Sequence, residues 1–438
     1  MEKASKIPVL LMVVFMPFCG FSQNTGIQFV KGLSWRQVLD KAKQENKYIF
    51  LDCYASWCGP CKEMDNKVYS QPEVGAYMKA HFICVKMQMD STGHDPEEIS
   101  SRYGDARLIQ KAYRIGTFPS FLYFSTDGTL VSRTIGYRDP DVFLSLSQNM
   151  LDPAKQYYTV LKAYGRHQMA DSTIFFLVGK SMDLGDTSTA HRVATAYIDQ
   201  NLPQWEGPNA ISKPIIDFII NCTTNGFLSE KEAVDVFTIF RRDSVKFISV
   251  TGERPDRFLR FLIAKVEIDP YIMTASRSGK PDLPWDQLKG HINQKYDKQL
   301  ADRPIIEAQV RWYGFKQNWP LYTRYTVELL QYYGTGMSST DLNNYTWQVS
   351  LYSAKREELQ AAIPWSKKAL EQDPKNAEDL DTYAGLLYKT GRTKEALEIE
   401  TKALQLLPGN KDLKDNYAKM LAGKPTWILP KDKSTKTL

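Results

Sequence analysis

The segment Trp57-Cys58-Gly59-Pro60-Cys61-Lys62 constrains the fold of this 438-residue chain more than any other stretch. Two cysteines separated by two residues can close a small disulfide ring when a helical turn brings their sulfur atoms within bonding distance. A short apolar run over residues 48–51 precedes the segment, and helix-like apolar spacing follows it. The pattern predicts a buried strand, a sharp turn, and a helix whose first turn carries Cys58. Unpaired amide groups and the dipole of that helix would favour a thiolate at Cys58.

Residues 24–153 alternate between strand-like and helix-like patterns. Apolar runs at 82–87 and 121–124 predict two further strands, and Asp127-Gly128 predicts a hairpin turn into a β-rich stretch at 129–135. We expect a helix that begins near Met64 and continues past Pro72. The pattern as a whole predicts a central sheet with helices on both faces and an antiparallel hairpin at one edge.

These residues resemble the thioredoxin superfamily, in particular its exported thioredoxin-like domains. The motif WCGPCK, an aspartate six residues before Cys58, a lysine in the next strand, and Pro119 all match that family's pattern, and Gly136 matches a glycine of its last strand. The resemblance implies an α/β thioredoxin fold over residues 23–153. Two departures are a long segment at 91–113 and Thr117-Phe118 before the proline, where the family usually has Gly-Ile.

The resemblance also implies roles for individual residues in thiol–disulfide exchange. Cys58 would be the nucleophile, Cys61 the resolving thiol, and Asp52 the acceptor of the Cys61 proton. Lys86 would pair with Asp52 and tune it. Pro119 would be cis and leave the Thr117 backbone free for a substrate strand. The expected substrate-binding residues are Trp57, Gly59, Pro60, Thr117, Phe118 and Pro119.

Several of these residues could instead have purely structural roles. Asp52 could bond only to neighbouring amide groups at a strand end, and Lys86 could be an ordinary surface lysine. Pro119 could be a trans turn residue, and Trp57 could fill core space. The Cys58/Cys61 pair could bind zinc, but no second CxxC or HxxxH segment would complete such a site. We therefore expect no metal, and no cofactor other than the redox-active disulfide.

The other cysteines predict structural thiols rather than a disulfide framework, because the chain beyond residue 22 holds only five. Cys53 neighbours Asp52, whereas Cys84 shares strand parity with Lys86. If the two strands pair as in the resembled family, these two sulfur atoms lie on opposite sheet faces and cannot bond. Cys222 lies on an apolar helical face and is expected to be a core residue.

The first 22 residues have the pattern of a secretory signal peptide. Lys3 and Lys6 precede an apolar stretch at 7–18, and small residues precede Gln23. We expect export, most plausibly to a periplasm, with an uncleaved anchor as the alternative. The net charge of +6 comes from dispersed residues without a basic run, so we expect no binding to nucleic acid.

Helical spacing replaces strand patterns after residue 153. We expect an all-α region of helical hairpins over residues 154–342, with residues 250–284 left unassigned. Pro374 and Pro408 are 34 residues apart, as are Ala362 and Ala396. This period resembles tetratricopeptide repeats, which predicts two repeats and a capping helix over residues 343–424, followed by a tail at 425–438.

The sequence therefore predicts an exported thiol–disulfide oxidoreductase that reduces protein disulfides. A reductase outside the cytoplasm would need a membrane-bound electron donor, and the helical region would bind a peptide or protein partner. Two alternatives remain open. The helical array could be the working part of an adaptor with a minor thioredoxin-like domain, or it could be a rigid extension that only stabilises the chain.

Overall fold

The computed structural model describes residues 26–166, 168–205, 211–279 and 282–426. The predicted signal segment at 1–22 and most of the tail at 425–438 lie outside these residues. The chain divides into two compact units, residues 1–193 and 194–438, which are described separately below.

A four-stranded mixed sheet forms the centre of the first unit, as the sequence predicts. Its strands are β1 (Tyr48–Tyr54), β2 (Phe82–Gln88), β3 (Ser120–Phe124) and β4 (Leu130–Ile135). Their order is β2-β1-β3-β4. Strand β1 pairs parallel with β2 and antiparallel with β3, and β3 and β4 form the predicted hairpin. Gly128 makes its turn with φ of 82°, a conformation that favours glycine.

Helices cover both faces of this sheet. They are α1 (Trp35–Glu45), α2 (Gly59–Glu63), α3 (Pro72–His81), α4 (Glu97–Ser100), α5 (Tyr103–Ala112), α6 (Pro140–Asn149), α7 (Tyr157–Ala163) and α8 (Asp171–Asp183). One core joins the β1 side chains Leu51 and Cys53 to α1 and α5. The other joins Phe50 and Cys84 to α3, α6 and the helix that follows Cys58. The sheet is therefore buried on both sides, which explains why its strands read as continuous apolar runs.

One predicted element is wrong. The helix expected to continue from Met64 past Pro72 is two helices, because α2 runs through a π-helical turn at Met64–Val68 and then stops. Helix α3 begins afresh at Pro72, which occupies its first position. Proline has no amide hydrogen and clashes with a preceding helical turn, whereas it fits the start of a helix.

Helices make up the described part of the second unit and the segment that enters it. They are α9 (Thr187–Asn201), α10 (Lys213–Thr224), α11 (Glu230–Arg242), α12 (Ser244–Thr251), α13 (Asp256–Ile263), α14 (Asp269–Arg277), α15 (Trp285–Lys295), α16 (Lys298–Phe315), α17 (Trp319–Tyr333), α18 (Ser339–Tyr352), α19 (Arg356–Gln372), α20 (Ala377–Lys389), α21 (Thr393–Leu406) and α22 (Lys411–Leu421). Helices α13 and α14 occupy the stretch that the sequence left unassigned. Hairpins α18–α19 and α20–α21 and the last helix α22 match the predicted repeat spacing; their assignment as tetratricopeptide repeats stays a prediction.

No helix within the described ranges combines the length and the apolar character needed to cross a membrane.

Two leucines of the first unit provide a matched test of this packing. Leu122 on β3 is fully buried in the core beside α1 and α5, whereas Leu108 on α5 is 69% exposed. We expect Leu122→Ala to lower the free energy of unfolding by about 2–5 kcal/mol, and Leu108→Ala to change it by less than about 0.5 kcal/mol. Alkylation of the buried thiols Cys53 and Cys84 at increasing urea concentrations measures unfolding of this unit. Equal urea midpoints for the two variants would contradict the described core.

Candidate active site around the Cys58–Cys61 disulfide

The motif cysteines lie where the sheet meets the start of a helix. Strand β1 ends at Tyr54, and Cys58 is the N-cap residue of α2. Cys58 and Cys61 form a disulfide with Cα atoms 5.3 Å apart. The Cys61 amide donates a hydrogen bond to Cys58 Sγ over 3.1 Å. An amide aimed at this sulfur would stabilise a thiolate there once the disulfide is reduced.

A short loop leads from β1 to the disulfide and is fixed by one carboxylate. The Ser56 amide and hydroxyl both donate hydrogen bonds to Asp90, over 2.9 Å and 2.5 Å. Trp57 follows and is 71% exposed. Its ring meets that of Phe118 edge-on at 5.9 Å between centroids. Trp57 is therefore not a core filler, and the two rings form an aromatic surface beside the disulfide.

The proline loop packs against the disulfide as the resemblance implies. The Phe118–Pro119 peptide bond is cis. Phe118 packs against the small cluster that holds Cys58 and Cys61. Gly136, at φ of 87°, donates its amide to the Pro119 carbonyl over 2.8 Å. The Thr117 backbone is less free than predicted, because its carbonyl already accepts a hydrogen bond from the Ser120 hydroxyl over 2.7 Å.

Asp52 lies in the interior of β1 and has no exposed surface. Among the described residues, neither carboxyl oxygen has a hydrogen-bond partner, so the alternative of a carboxylate bonded to strand-end amides does not hold. Burial raises the pKa of Asp52 to about 7, although the positive charge of Lys86 acts in the opposite direction. Its neighbours on this sheet face include Phe50 and the helix that contains Cys61. The carboxyl group can thus hold or release a proton near neutral pH beneath that helix.

Lys86 lies beside Asp52 in the sheet but forms its ion pair elsewhere. The two residues are register partners on β1 and β2. The Lys86 ammonium instead pairs with Asp65, on the π-helical turn that follows α2. It also lies 4.7 Å from the ring centre of Tyr54. The predicted direct Lys86–Asp52 pair is therefore replaced by an electrostatic influence at longer range.

Asp65 and Tyr69 are two site residues that sequence reasoning missed. Asp65 raises the pKa of Asp52, and the nearby Tyr69 hydroxyl lowers it. The Tyr69 hydroxyl and the Asp52 carboxyl oxygens do not, however, meet the geometry of a hydrogen bond. Asp65 stands four residues after Cys61 in the same helical segment. That spacing was the available signal, because residues four apart share one helix face.

The other described cysteines are buried free thiols: Cys53, Cys84 and Cys222. Cys53 and Cys84 belong to different cores on opposite sheet faces, as predicted. Burial raises the pKa of each of the three thiols, which makes them poor nucleophiles.

One group within the described residues has the spacing of a metal site: Glu230, Glu267 and His291. The Lys295 ammonium donates hydrogen bonds to both carboxylates, so it already neutralises one of their two negative charges.

Comparison with known proteins supports the fold of the first unit. Residues 35–151 match the family model described as a thioredoxin-like domain. Thioredoxin domain-containing protein 3 of Homo sapiens is 21% identical over 291 residues, which are 66% of this chain and 44% of that protein. Thiol:disulfide interchange protein DsbD of Yersinia pestis (strain Pestoides F) is 27% identical over 150 residues, which are 32% of this chain and 23% of that protein. The chain thus spans less than half the length of either relative.

A solved structure entitled a putative disulphide-isomerase from Bacteroides thetaiotaomicron is 30% identical, and the match covers 30% of this chain and 98% of that one with a TM-score of 0.25. The family match and the sheet topology agree on the same residues. The N-terminal part of this chain is therefore a thioredoxin-like domain that carries the Cys58–Cys61 pair, and a large helical region follows it.

Proposed function

We propose that this chain is an exported thiol–disulfide oxidoreductase that reduces disulfides of protein substrates. The observation that carries the proposal is the closed Cys58–Cys61 disulfide, which directly follows the exposed Trp57 and packs against Phe118, the residue before the cis Pro119. The redox-active group is this cysteine pair itself, and we propose no further cofactor. The relative DsbD is a thiol:disulfide interchange protein, which is consistent with this chemistry.

The reaction begins from the reduced dithiol. The Cys58 thiolate attacks one sulfur of the substrate disulfide, so the substrate S–S bond breaks and its other sulfur leaves as a thiolate that takes up a proton. Cys61 then loses its proton and attacks Cys58 Sγ, which closes the Cys58–Cys61 bond and releases the second substrate sulfur as a thiolate. Two electrons pass to the substrate, and a dithiol electron donor returns the chain to its reduced form.

Asp52 takes the Cys61 proton in this scheme. Its carboxyl group is buried on the sheet face covered by the Cys61 helix and has a pKa of about 7. A base with a pKa near the working pH combines a useful ionised fraction with a useful affinity for the proton. Lys86 and Asp65 tune that pKa in opposite directions. Their ion pair holds the cationic group between β2 and the helix.

The surface around the disulfide would hold the substrate strand. Trp57 and Phe118 offer aromatic contacts, and Gly59 and Pro60 leave the turn beside Cys58 without bulky side chains. Thr117 and Phe118, which precede the cis Pro119 and lie beside the disulfide cluster, would supply the docking edge for a substrate strand. The Thr117 carbonyl can keep its bond to Ser120 and accept a second hydrogen bond, since a carbonyl oxygen has two lone pairs.

Direction, location and partners belong to the same proposal. The motif WCGPCK favours reduction over oxidation by its resemblance to reducing thioredoxins. Export to a periplasm rests on the signal-like pattern of residues 1–22. Reduction in that compartment requires electrons from a membrane-bound donor. The helical hairpins α18–α22 supply a surface for a protein partner, with Trp347 43% exposed on α18.

Cysteine variants test the chemistry. With dithiothreitol as the electron source, the wild-type chain should accelerate reduction of insulin disulfides, and Cys58→Ser should lose at least about 10³-fold of that rate because the nucleophile is gone. Cys61→Ala should instead accumulate a mixed disulfide with the substrate, visible on a non-reducing gel. Cys222→Ala is the matched control and should retain the wild-type rate. An active Cys58→Ser variant would rule out the proposed function.

The Asp52 variant tests the proton acceptor. Only the ionised carboxylate can accept the Cys61 proton, so the wild-type rate of mixed-disulfide resolution should fall as the pH drops through about 7. Asp52→Asn should be at least about tenfold slower at pH 8 and should lack that inflection. Stopped-flow single-turnover kinetics from pH 5 to 9 measure both quantities. A wild-type inflection retained in Asp52→Asn would assign it to another group.

Asp52→Asn should lower the rate of resolution but raise the free energy of unfolding relative to wild type as the pH increases. The folded protein holds the Asp52 proton up to pH about 7, whereas the unfolded chain releases it near pH 4, so wild-type stability falls as pH rises across this window. Asn does not titrate. Relative to wild type, oxidised Asp52→Asn should therefore gain about 4 kcal/mol between pH 4 and pH 8. Urea-dependent modification of Cys53 and Cys84 by 4,4′-dithiodipyridine, which reacts with exposed thiols at acid as well as neutral pH, measures this difference, and a pH-independent difference would contradict the raised pKa.

A further inference from the structure

We propose that a cleft beside the cis-proline loop binds an acidic side chain of the protein substrate, with Arg133 as the cation that receives it. This inference rests on the proposed function, because it names a class of substrate for the same site. It assigns specificity to a place in the fold that the disulfide chemistry does not use.

The cleft has a volume of about 650 Å³ and lies within the first unit. Three walls enclose it. The loop before the cis proline provides Arg114 and Thr117, the edge strand β4 provides Arg133, and the helical segment after the sheet provides Tyr158 and Asp186. Helix α7, which contains Tyr158, packs beside β4. The added helices thus turn an open sheet edge into a concave site.

The cleft is close to the reacting sulfur atoms. Phe118 packs against the cluster of Cys58 and Cys61, and its chain neighbour Thr117 lines the cleft. Adjacent Cα atoms are about 3.8 Å apart, and an extended substrate advances about 3.3 Å per residue. A substrate strand whose cysteine is at Cys58 can therefore extend past Phe118 and Thr117 and place a side chain in the cleft within a few residues of that cysteine.

Arg133 is a buried cation without an internal counter-charge. Only 9% of its surface is exposed. Its Nη1 donates a hydrogen bond to the Tyr113 carbonyl over 3.1 Å, while its Nε is buried and has no partner within the part of the chain that the structure describes. Among the described residues, no carboxylate forms an ion pair with it. A buried charge is costly unless it is paired and hydrogen-bonded, so an external carboxylate in the cleft would complete this site.

Asp186, the acidic residue that lines the cleft, already accepts hydrogen bonds from the first turn of helix α9. Asp186 accepts hydrogen bonds from the Ser188 hydroxyl over 3.0 Å and the Thr189 amide over 3.1 Å, at the start of α9. Arg114 adds a second positive charge at the exposed rim, on a residue with φ of 49°. Two arginines against one engaged carboxylate give the cleft a net positive charge. An acidic segment of an extended substrate matches it in both charge and approach.

The test compares two peptides that differ in one charge. Both carry a cysteine followed four residues later by Glu in one peptide and Gln in the other. Versions with Ser in place of Cys measure binding to the oxidised chain by fluorescence anisotropy, and disulfide-linked versions measure kcat/KM. For wild type, we expect the Glu peptides to bind about tenfold more tightly and to react about tenfold faster, because a charge-assisted hydrogen bond is worth about that factor. Added salt should reduce this preference.

Arginine variants show whether the preference for the Glu peptide depends on the cleft. Arg133→Met should abolish the preference for Glu, and Arg133→Lys should restore part of it. Arg107→Met removes an exposed arginine of α5 outside the cleft and should keep the wild-type preference. If circular dichroism shows that Arg133→Met is unfolded, the exposed Arg114→Gln decides, with an expected loss of about threefold in preference.

Two failures are distinguishable. Equal binding of the Glu and Gln peptides, or a preference that survives Arg133→Met and Arg114→Gln, would overturn the acidic cleft while leaving the proposed function intact. If wild type fails to reduce even the small molecule bis(2-hydroxyethyl) disulfide, the proposed function falls. The anisotropy measurement with Ser peptides would then still decide whether the cleft binds acidic segments.

Discussion

The carboxyl group of Asp52 is buried on strand β1 with no hydrogen-bond partner among the residues that the structure describes. The chemistry proposed for this domain depends on the free energy that it would cost to ionise this group. A buried carboxylate without partners is unstable, so the group keeps its proton up to a pH of about 7. The fold keeps Asp52 on the sheet face that is covered by the helix carrying Cys61. The positive charge of Lys86 lowers the free-energy cost of ionising Asp52, the negative charge of Asp65 raises it, and neither residue hydrogen-bonds the carboxyl oxygens. A stabilising substitution at this position is therefore expected to remove a function, as is common for strained or destabilised sites.

Much of the first unit could be predicted from the sequence because local patterns and long-range packing agree there. The run at 48–51, the turn at Gly59-Pro60 and the Asp127-Gly128 hairpin each specify one element. The π-helical turn and the fresh start at Pro72 could not be predicted from the apolar spacing, which continues through both. Likewise, the sequence predicts a pair between Lys86 and Asp52, and the two residues are register partners, but the reach of the lysine side chain to Asp65 depends on where the helix lies.

Arg133 illustrates a second limit of sequence reasoning. It is a charged residue in a β-rich hairpin strand, and charged side chains on such strands usually face solvent. Helices more than twenty residues further along the chain cover this strand and create the cleft. The buried side chains of Asp52 and Arg133 respond to burial in different ways. Asp52 avoids its charge by holding a proton, whereas an arginine stays protonated and must find an anion. The first would serve the chemistry, and the second would serve the choice of substrate.

The most direct test of this account is the titration of the Asp52 carboxyl group in the oxidised protein. Carbon-13 NMR of a chain labelled at aspartate carboxyl carbons, with Asp52→Asn to assign the signal, reports its protonation at each pH. The account predicts a midpoint at pH about 7. An Asp52 carboxyl group that is already ionised at pH 5 would contradict it. A pKa below 5 would mean that a hydrogen-bond donor, a positive charge or solvent stabilises the carboxylate in the folded state.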